Sequence, residues 1–138
     1  MRLVFYFWGT SFKLDYDKLL NSWINSCLKH ENLLLEGVNY IVCNDEDLLI
    51  INKKYLNLET YTDVITFNYA RYTKIFGDIF ISIDRIKENA IKWGVSFEEE
   101  LYRIMIHGIL HLLSYNDKFH TEKFLMQKKE NFYLALLF

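Results

Sequence analysis

The sequence has no proline, two cysteines and five glycines in 138 residues. The glycines are scattered at positions 9, 37, 77, 94 and 108, so no Gly/Ser linker, repeat or low-complexity run divides the chain. One domain over residues 1–138 is expected, long enough to bury roughly two-thirds of its unfolded surface. Cys27 and Cys43 fall in an expected helix and an expected strand, which reads as two free core thiols with no disulfide partner and fits a reducing cytoplasm. Long hydrophobic runs are also missing. The N-terminal Met-Arg-Leu-Val-Phe-Tyr-Phe-Trp has only about six apolar residues, too few for a signal-peptide core or a membrane span. No membrane association is expected, and cytoplasm is the default. Nor does one sign of charge dominate: 16 Lys and Arg stand against 18 Asp and Glu. Any nucleic-acid partner therefore needs a local basic groove to attract it.

What is present is a large apolar and aromatic stock, 51% and 17% of residues, ample for a core. Leu3–Trp8 reads as a strand. A helix is expected from about Asp15 to Lys29, with Leu19, Leu20, Trp23, Ile24 and Cys27 at helical spacing. Phe5, Phe7 and Trp23 read as core. Val38–Cys43 is a second strand, and Asn44 caps a helix running to about Tyr55, with Asp45, Glu46 and Asp47 in its first turn. Strands follow at Val64–Tyr69 and Gly77–Ser82. A helix over Asp84–Trp93 ends at Gly94. Ser96 with Glu99 forms a capping box for the helix to about Leu113, and Thr121 is a possible cap for a last helix to Leu137. The order β-α-β-α-β-β-α-α-α implies an α+β (or α/β-like) fold, a small mixed sheet of about four strands packed with about five helices.

The stretch MIHGILHLLSYNDKFH, Met105–His120, raises the functional question. On the helix from Ser96, positions 100, 103, 107 and 111 lie within about 80° of one another at about 100° per residue. Glu100, Arg103, His107 and His111 thus form one polar stripe on an apolar cylinder. Two core histidines, each hydrogen-bonded, would give the same composition. Imidazoles at i and i+4, however, point the same way and can share one cation. Gly108, costly in a helix by about 1 kcal/mol, would let another element or a substrate approach closely. Asp117 and His120 both offer a third ligand of a kind zinc accepts. The site is not a standard zinc protease, because the general-base Glu of HExxH is here Gly108.

With these residues in view, the chain resembles the YbeY family of bacterial metal-dependent endoribonucleases that act in ribosomal RNA maturation. His107-Gly-Ile-Leu-His-Leu-Leu-Ser-Tyr-Asn-Asp117 is similar to the family signature H-G-x-L-H-L-x-G-Y-D-H. Thr62-Asp63-Val64-Ile65-Thr66-Phe67 resembles its T-D-V-L-S-F block, and Gly77-Asp78-Ile79-Phe80-Ile81-Ser82 its G-D-I-x-I strand. Asn52, Tyr55, Met126 and Glu130 match in spacing. Three departures stand out. The family's third histidine falls on Asp117, so the resemblance favours Asp117 over His120. Its turn glycine is Ser114, which is strained only if a positive φ is required there. An arginine common in the helix before the T-D-V block falls on Leu56; if that arginine stabilises phosphate charge, Lys53, Lys54 or Arg103 would have to replace it.

The resemblance implies one zinc ion per chain held by His107, His111 and Asp117. It implies cleavage of single-stranded RNA, at the small-subunit rRNA 3′ end, with ribosomal RNA and the small ribosomal subunit as partners. Thr62, Asp63, Arg103 and Lys53 are candidate substrate-positioning groups. Lys53, Lys54, Arg71, Lys74, Lys87 and Lys92 could line a groove, with Tyr61, Tyr69 and Tyr72 for base stacking; a solvated surface is the better account of most of them. The competing expectation is a non-catalytic ribosome-associated RNA-binding module with a structural metal, in which Leu56 marks lost catalysis. Hydrolysis of a non-RNA substrate is a third.

Overall fold

A computed structural model describes residues 2–8, 17–69 and 74–137. Arg71 and Tyr72, two of the groove and stacking candidates, lie outside the described residues, as does the expected start of the first helix. Among the described residues there are four strands and five helices, in the expected order. They are β1 (Arg2–Phe7), α1 (Asp17–His30), β2 (Leu34–Cys43), α2 (Asp45–Leu56), β3 (Val64–Asn68), β4 (Lys74–Ser82), α3 (Ile83–Trp93), α4 (Phe97–Leu112) and α5 (His120–Leu137). The fold is α+β. None of the described helices is long and apolar enough to cross a membrane.

The caps explain where helices begin and end. The Asn44 side chain accepts from the Asp47 amide at the start of α2, and Asn57 closes that helix in the left-handed region at φ 54°. Ser82 accepts from the Arg85 amide and Gly94, at φ 66°, ends α3; Ser96 accepts from the Glu99 amide to start α4. The start of α5 differs from expectation. Thr121 is already helical, and the free amide of Phe119 donates instead to the Glu122 carboxylate at 3.0 Å.

The sheet order is β1-β2-β4-β3, with β1, β2 and β4 parallel and β3 antiparallel on the edge. One face, through Val38, Tyr40, Ile75, Ile79 and Ile81, packs against α1, α3, α4 and α5 in the main core. The other face holds a smaller cluster of Cys43, Leu48, Ile51 and Ile65 under α2, with Phe67 and Phe80 packed on it. Trp23 is buried, and its indole N–H donates to the Tyr133 carbonyl at 2.8 Å. Phe5 packs on the main core and stacks on Tyr40. Leu19 departs from the sequence reading: it is exposed, and Leu28 fills the buried stripe of α1 instead. Both cysteines are buried and unbridged.

This packing fixes α4, which carries the histidines. Met105, Ile106, Ile109 and Leu110 are fully buried, each contributing about 1.5–3 kcal/mol from apolar burial. The Tyr40 hydroxyl donates to the Met105 carbonyl at 2.9 Å, and Asn68 Nδ2 donates to the Leu112 carbonyl at 3.0 Å. Gly108 faces β4: a Cβ there would lie 2.8 Å from Ile79 Cγ2. The element that approaches Gly108 is therefore the sheet, and the small residue lets α4 seat closely on β4 with His107 and His111 on the adjoining flank.

Candidate metal centre

His107 Nε2 and His111 Nε2 lie 2.9 Å apart, and Asp117 Oδ2 is 3.4 Å from each. The three residues offer ligand atoms that all fall within 4.8 Å of one another. Ligands about 2.0–2.1 Å from a tetrahedral zinc stand about 3.3 Å apart, so the set closes on a cation with shifts of a few tenths of an ångström. Two imidazoles and a carboxylate suit zinc chemically. His120, by contrast, sits exposed at the first residue of α5 and is outside this group.

The outward ring nitrogens explain why the Nε2 atoms converge. His111 Nδ1 is 3.1 Å from the Tyr115 carbonyl, which can only accept, so Nδ1 carries the proton. His107 Nδ1 is 2.6 Å from Glu130 Oε2, another acceptor. Both arrangements leave the Nε2 lone pairs for a cation, the usual tautomer of a ligating histidine. The electrostatics of the two rings differ. Burial works against charging His107, but the hydrogen bond and charge of Glu130 outweigh it and raise its pKa. Burial lowers the pKa of His111, and the neighbouring His107 lowers it further.

Glu130 is 6% exposed and also accepts from Arg103 Nη1 at 3.2 Å; the same nitrogen reaches Asn131 Oδ1 at 3.1 Å. The turn that brings Asp117 back over α4 is held from the far side of the fold. Glu31, just after α1, accepts from the Tyr115 hydroxyl at 2.5 Å, the Tyr133 hydroxyl at 2.6 Å and Lys129 Nζ at 3.1 Å. Burial alone would raise the Glu31 carboxyl; these donors outweigh it and hold it down at about 2. Ser114, at the turn itself, has φ 72°.

Two cavities flank the histidine pair. A larger one of about 550 Å³ touches His107 and is lined by Asp63, Glu100, Arg103, Asp117, Lys123 and Glu130 among others. A smaller one of about 350 Å³ touches His111 and is lined by Asn52, Leu56, Tyr61, Thr62 and Thr66 among others. The Thr62-Asp63 pair thus straddles the centre, one residue on each side. Lys53 is exposed on α2 and lines neither cavity, and the same holds for Lys54, Lys74, Lys87 and Lys92. Tyr69 donates to Asp78 at the sheet edge, outside both cavities.

Glu130, Glu31 and Glu100 are the functional-site carboxylates the sequence reading left without a role. Glu130 had a visible signal: it stands four residues after Met126 and three before Tyr133, inside the apolar stripe of α5. A carboxylate in such a stripe needs a partner. Glu31 had none, because its partners are 84 to 102 residues away.

Comparison with known proteins bears on the same segments. The family model for endoribonuclease YbeY matches residues 9–137. A protein named endoribonuclease YbeY from Karelsulcia muelleri is 44% identical over 135 residues, covering 98% of this chain and 96% of its own. Its namesake from Flavobacterium psychrophilum is 49% identical over 115 residues, covering 83% and 82%. Among solved structures, the solution structure of TM1509 from Thermotoga maritima superposes with a TM-score of 0.63 at 26% identity, covering 97% of this chain and 89% of that one. The chain belongs to the endoribonuclease YbeY family.

Proposed function

We propose that this chain is a zinc-dependent endoribonuclease that cuts single-stranded RNA, with His107, His111 and Asp117 as the metal ligands. The observation that carries the reading is the convergence of two Nε2 atoms and Asp117 Oδ2, with each Nδ1 anchored to an acceptor behind it. When bound there, zinc would polarise a phosphoryl oxygen and bring the pKa of its water from about 15.7 towards 7. The chain's own residues hold and surround that centre. Glu130 and the Tyr115 carbonyl fix the imidazole orientations. Asp117 lowers the net positive charge of the site relative to a third histidine, making the ion a slightly weaker Lewis acid. Thr62 and Asp63, one in each cavity, are placed to position the strand being cut. Arg103 lines the cavity beside His107 and is the candidate cation for a phosphate, a role its engagement with Glu130 restrains.

Family membership supports RNA as the substrate. The finer assignment, to the 3′ end of small-subunit rRNA during ribosome maturation in the cytoplasm, rests on the motif resemblance. Zinc measured by elemental analysis should be stoichiometric in the wild type and lost in His107→Ala and His111→Ala. Purified protein should cut single-stranded RNA, and chelation should stop it. Cleavage that survives both chelation and His111→Ala overturns the reading.

One observation favours the non-catalytic alternative: the cavity beside His111, where Leu56 stands, has no lysine or arginine in its lining among the described residues. Retained zinc with no cleavage of any RNA would decide for a structural metal in an RNA-binding module. Loss of metal in His120→Ala but not in Asp117→Ala would reverse the choice of third ligand.

A further inference from the structure

Glu100 is a buried carboxylate in the lining of the larger cavity that the metal centre does not use. It stands seven residues before His107 on α4, about 10 Å along the helix axis. It is 4% exposed, and it lines the cavity. Among the described residues no hydrogen bond or ion pair engages its carboxylate. Yet among the described residues no buried side-chain nitrogen or oxygen is left both shut from solvent and unpaired, so the Glu100 oxygens open into the cavity. Burial raises its carboxyl to about 6, with Arg103 opposing, Asp63 and Glu130 adding, and His107 opposing. Near neutral pH it is mainly ionised, an acceptor with no donor among the described residues, so its hydrogen bonds are left to water or to a ligand in the cavity.

The chemistry of the cavity selects the ligand. Among the described residues Asp63, Glu100, Asp117 and Glu130 outnumber Arg103 and Lys123 in its lining, so the Glu100 carboxylate favours a neutral group with N–H donors and leaves a phosphate to Arg103. The volume of about 550 Å³ is in the range of small-ligand pockets. Trp93 lies at the rim and is 64% exposed, an aromatic plane of the kind on which single-stranded bases stack. Lys92 Nζ lies 4.9 Å from the centre of that ring, a cation placed for a neighbouring backbone phosphate. Of the four RNA bases, guanine alone presents two adjacent donors, N1–H and N2–H, to a two-oxygen acceptor. Uracil offers one donor between two carbonyls, and adenine and cytosine each pair a donor with a ring acceptor that the carboxylate would repel.

We propose that the cavity beside His107 is a nucleobase subsite in which the Glu100 carboxylate reads a guanine near the scissile phosphodiester, with Trp93 stacking at the rim. The inference rests on the nuclease reading for its place in the reaction, but its binding test does not. Calorimetric titration of the zinc-loaded protein with guanosine and adenosine 5′-monophosphates should show a preference for guanosine of roughly tenfold or more, the scale of one bidentate contact. Glu100→Gln, nearly isosteric, should bring the ratio of the two dissociation constants close to one. Trp93→Ala, at an exposed position that leaves the fold intact, should weaken both nucleotides together. In cleavage, the kcat/KM ratio for oligonucleotides with one guanine over those with adenine in its place should fall equally in Glu100→Gln. Guanosine selectivity that depends on Glu100 in a protein that cuts no RNA sinks the nuclease reading and keeps the subsite. Cleavage without base preference, or a preference that survives Glu100→Gln, overturns the subsite and leaves the nuclease standing.

Discussion

Among the described residues, the cavity beside His107 is lined by six carboxylate or cationic side chains other than the histidine, whereas the one beside His111 is lined by none. The supports of the two imidazoles divide the same way. His107 leans on a carboxylate from α5, itself paired with Arg103, and is easier to protonate than usual. His111 leans on a backbone carbonyl in the Tyr115 turn and is harder to protonate. One helix thus presents two like residues to unlike surroundings. The charged side is suited to reading donors on a base, and the neutral side leaves room for a phosphate with no lysine or arginine among the described residues to meet it.

The support on the His111 side reaches furthest, and its removal should have the largest effect. Glu31 is the acceptor that holds Tyr115, whose carbonyl orients His111. Its carboxyl lies at about 2 when folded, against an ordinary 4.5, a difference of about 3 kcal/mol. Because the folded value is the lower, this stabilisation is fully present above pH about 4.5. It is lost as pH falls from there through about 2. Urea unfolding of Glu31→Gln at pH 7 should show a loss of about 3 kcal/mol, shrinking towards zero near pH 2. An equal deficit at both pH values would mean the residue acts through packing.

On the His107 side the matching change is Glu130→Gln. The hydrogen bond to Nδ1 can persist while the charge is lost, and Arg103 loses its ion pair. Outer partners of ligating histidines typically carry 10–100-fold in metal affinity, and zinc competition with a chromophoric chelator should fall in that range. If affinity is unchanged, the charge difference between the two sides has no bearing on the metal.

Leu56→Arg tests the neutral side directly. Leu56 is 46% exposed and lines the cavity touching His111, so a longer side chain can be accepted there without disturbing the core. A cation added where phosphate charge develops should raise kcat/KM on single-stranded RNA by about tenfold, less than the 10²–10³ that a preorganised donor supplies. An unchanged rate would place the phosphate elsewhere, with Arg103 as the nearer cation.

How far the sequence spoke to these two sides depends on separation along the chain. The nine elements were legible because strand alternation, helical spacing and the caps Asn44, Ser96 and Gly94 are local signals. The histidine pair was legible as an i, i+4 face, and Asp117 lies only six residues beyond. Leu19 was misread because helical spacing gives a stripe but not its edge, and Leu28 at the other end of α1 is the residue that reaches the core. The anchors of the two rings were not legible. Glu130 and Glu31 come from 23 residues after His107 and 84 before Tyr115, and only the packing of α5 and α1 brings them in.

Ser114 lies between the local and the distant, and it carries the smallest effect. It could be read as strained only if the turn demanded a positive φ, and the turn has φ 72°. The Ser114 amide donates to the His111 carbonyl and the Tyr115 amide to the Leu110 carbonyl, each at 3.0 Å, so this conformation is what ends α4 and starts the chain back towards Asp117. A non-glycine residue there costs about 1 kcal/mol in backbone strain. Glycine removes that cost but gives the unfolded chain more freedom to lose, which takes back part of the gain. Ser114→Gly should therefore stabilise the fold by only about 0.5 kcal/mol, a rise of a few degrees in Tm. Zinc affinity should rise with it if strain in the turn pulls Asp117 away from the two Nε2 atoms, and stay fixed if the strain is confined to Ser114. A fall in Tm would show that the serine hydroxyl, rather than the backbone angle, decides the stability of the turn.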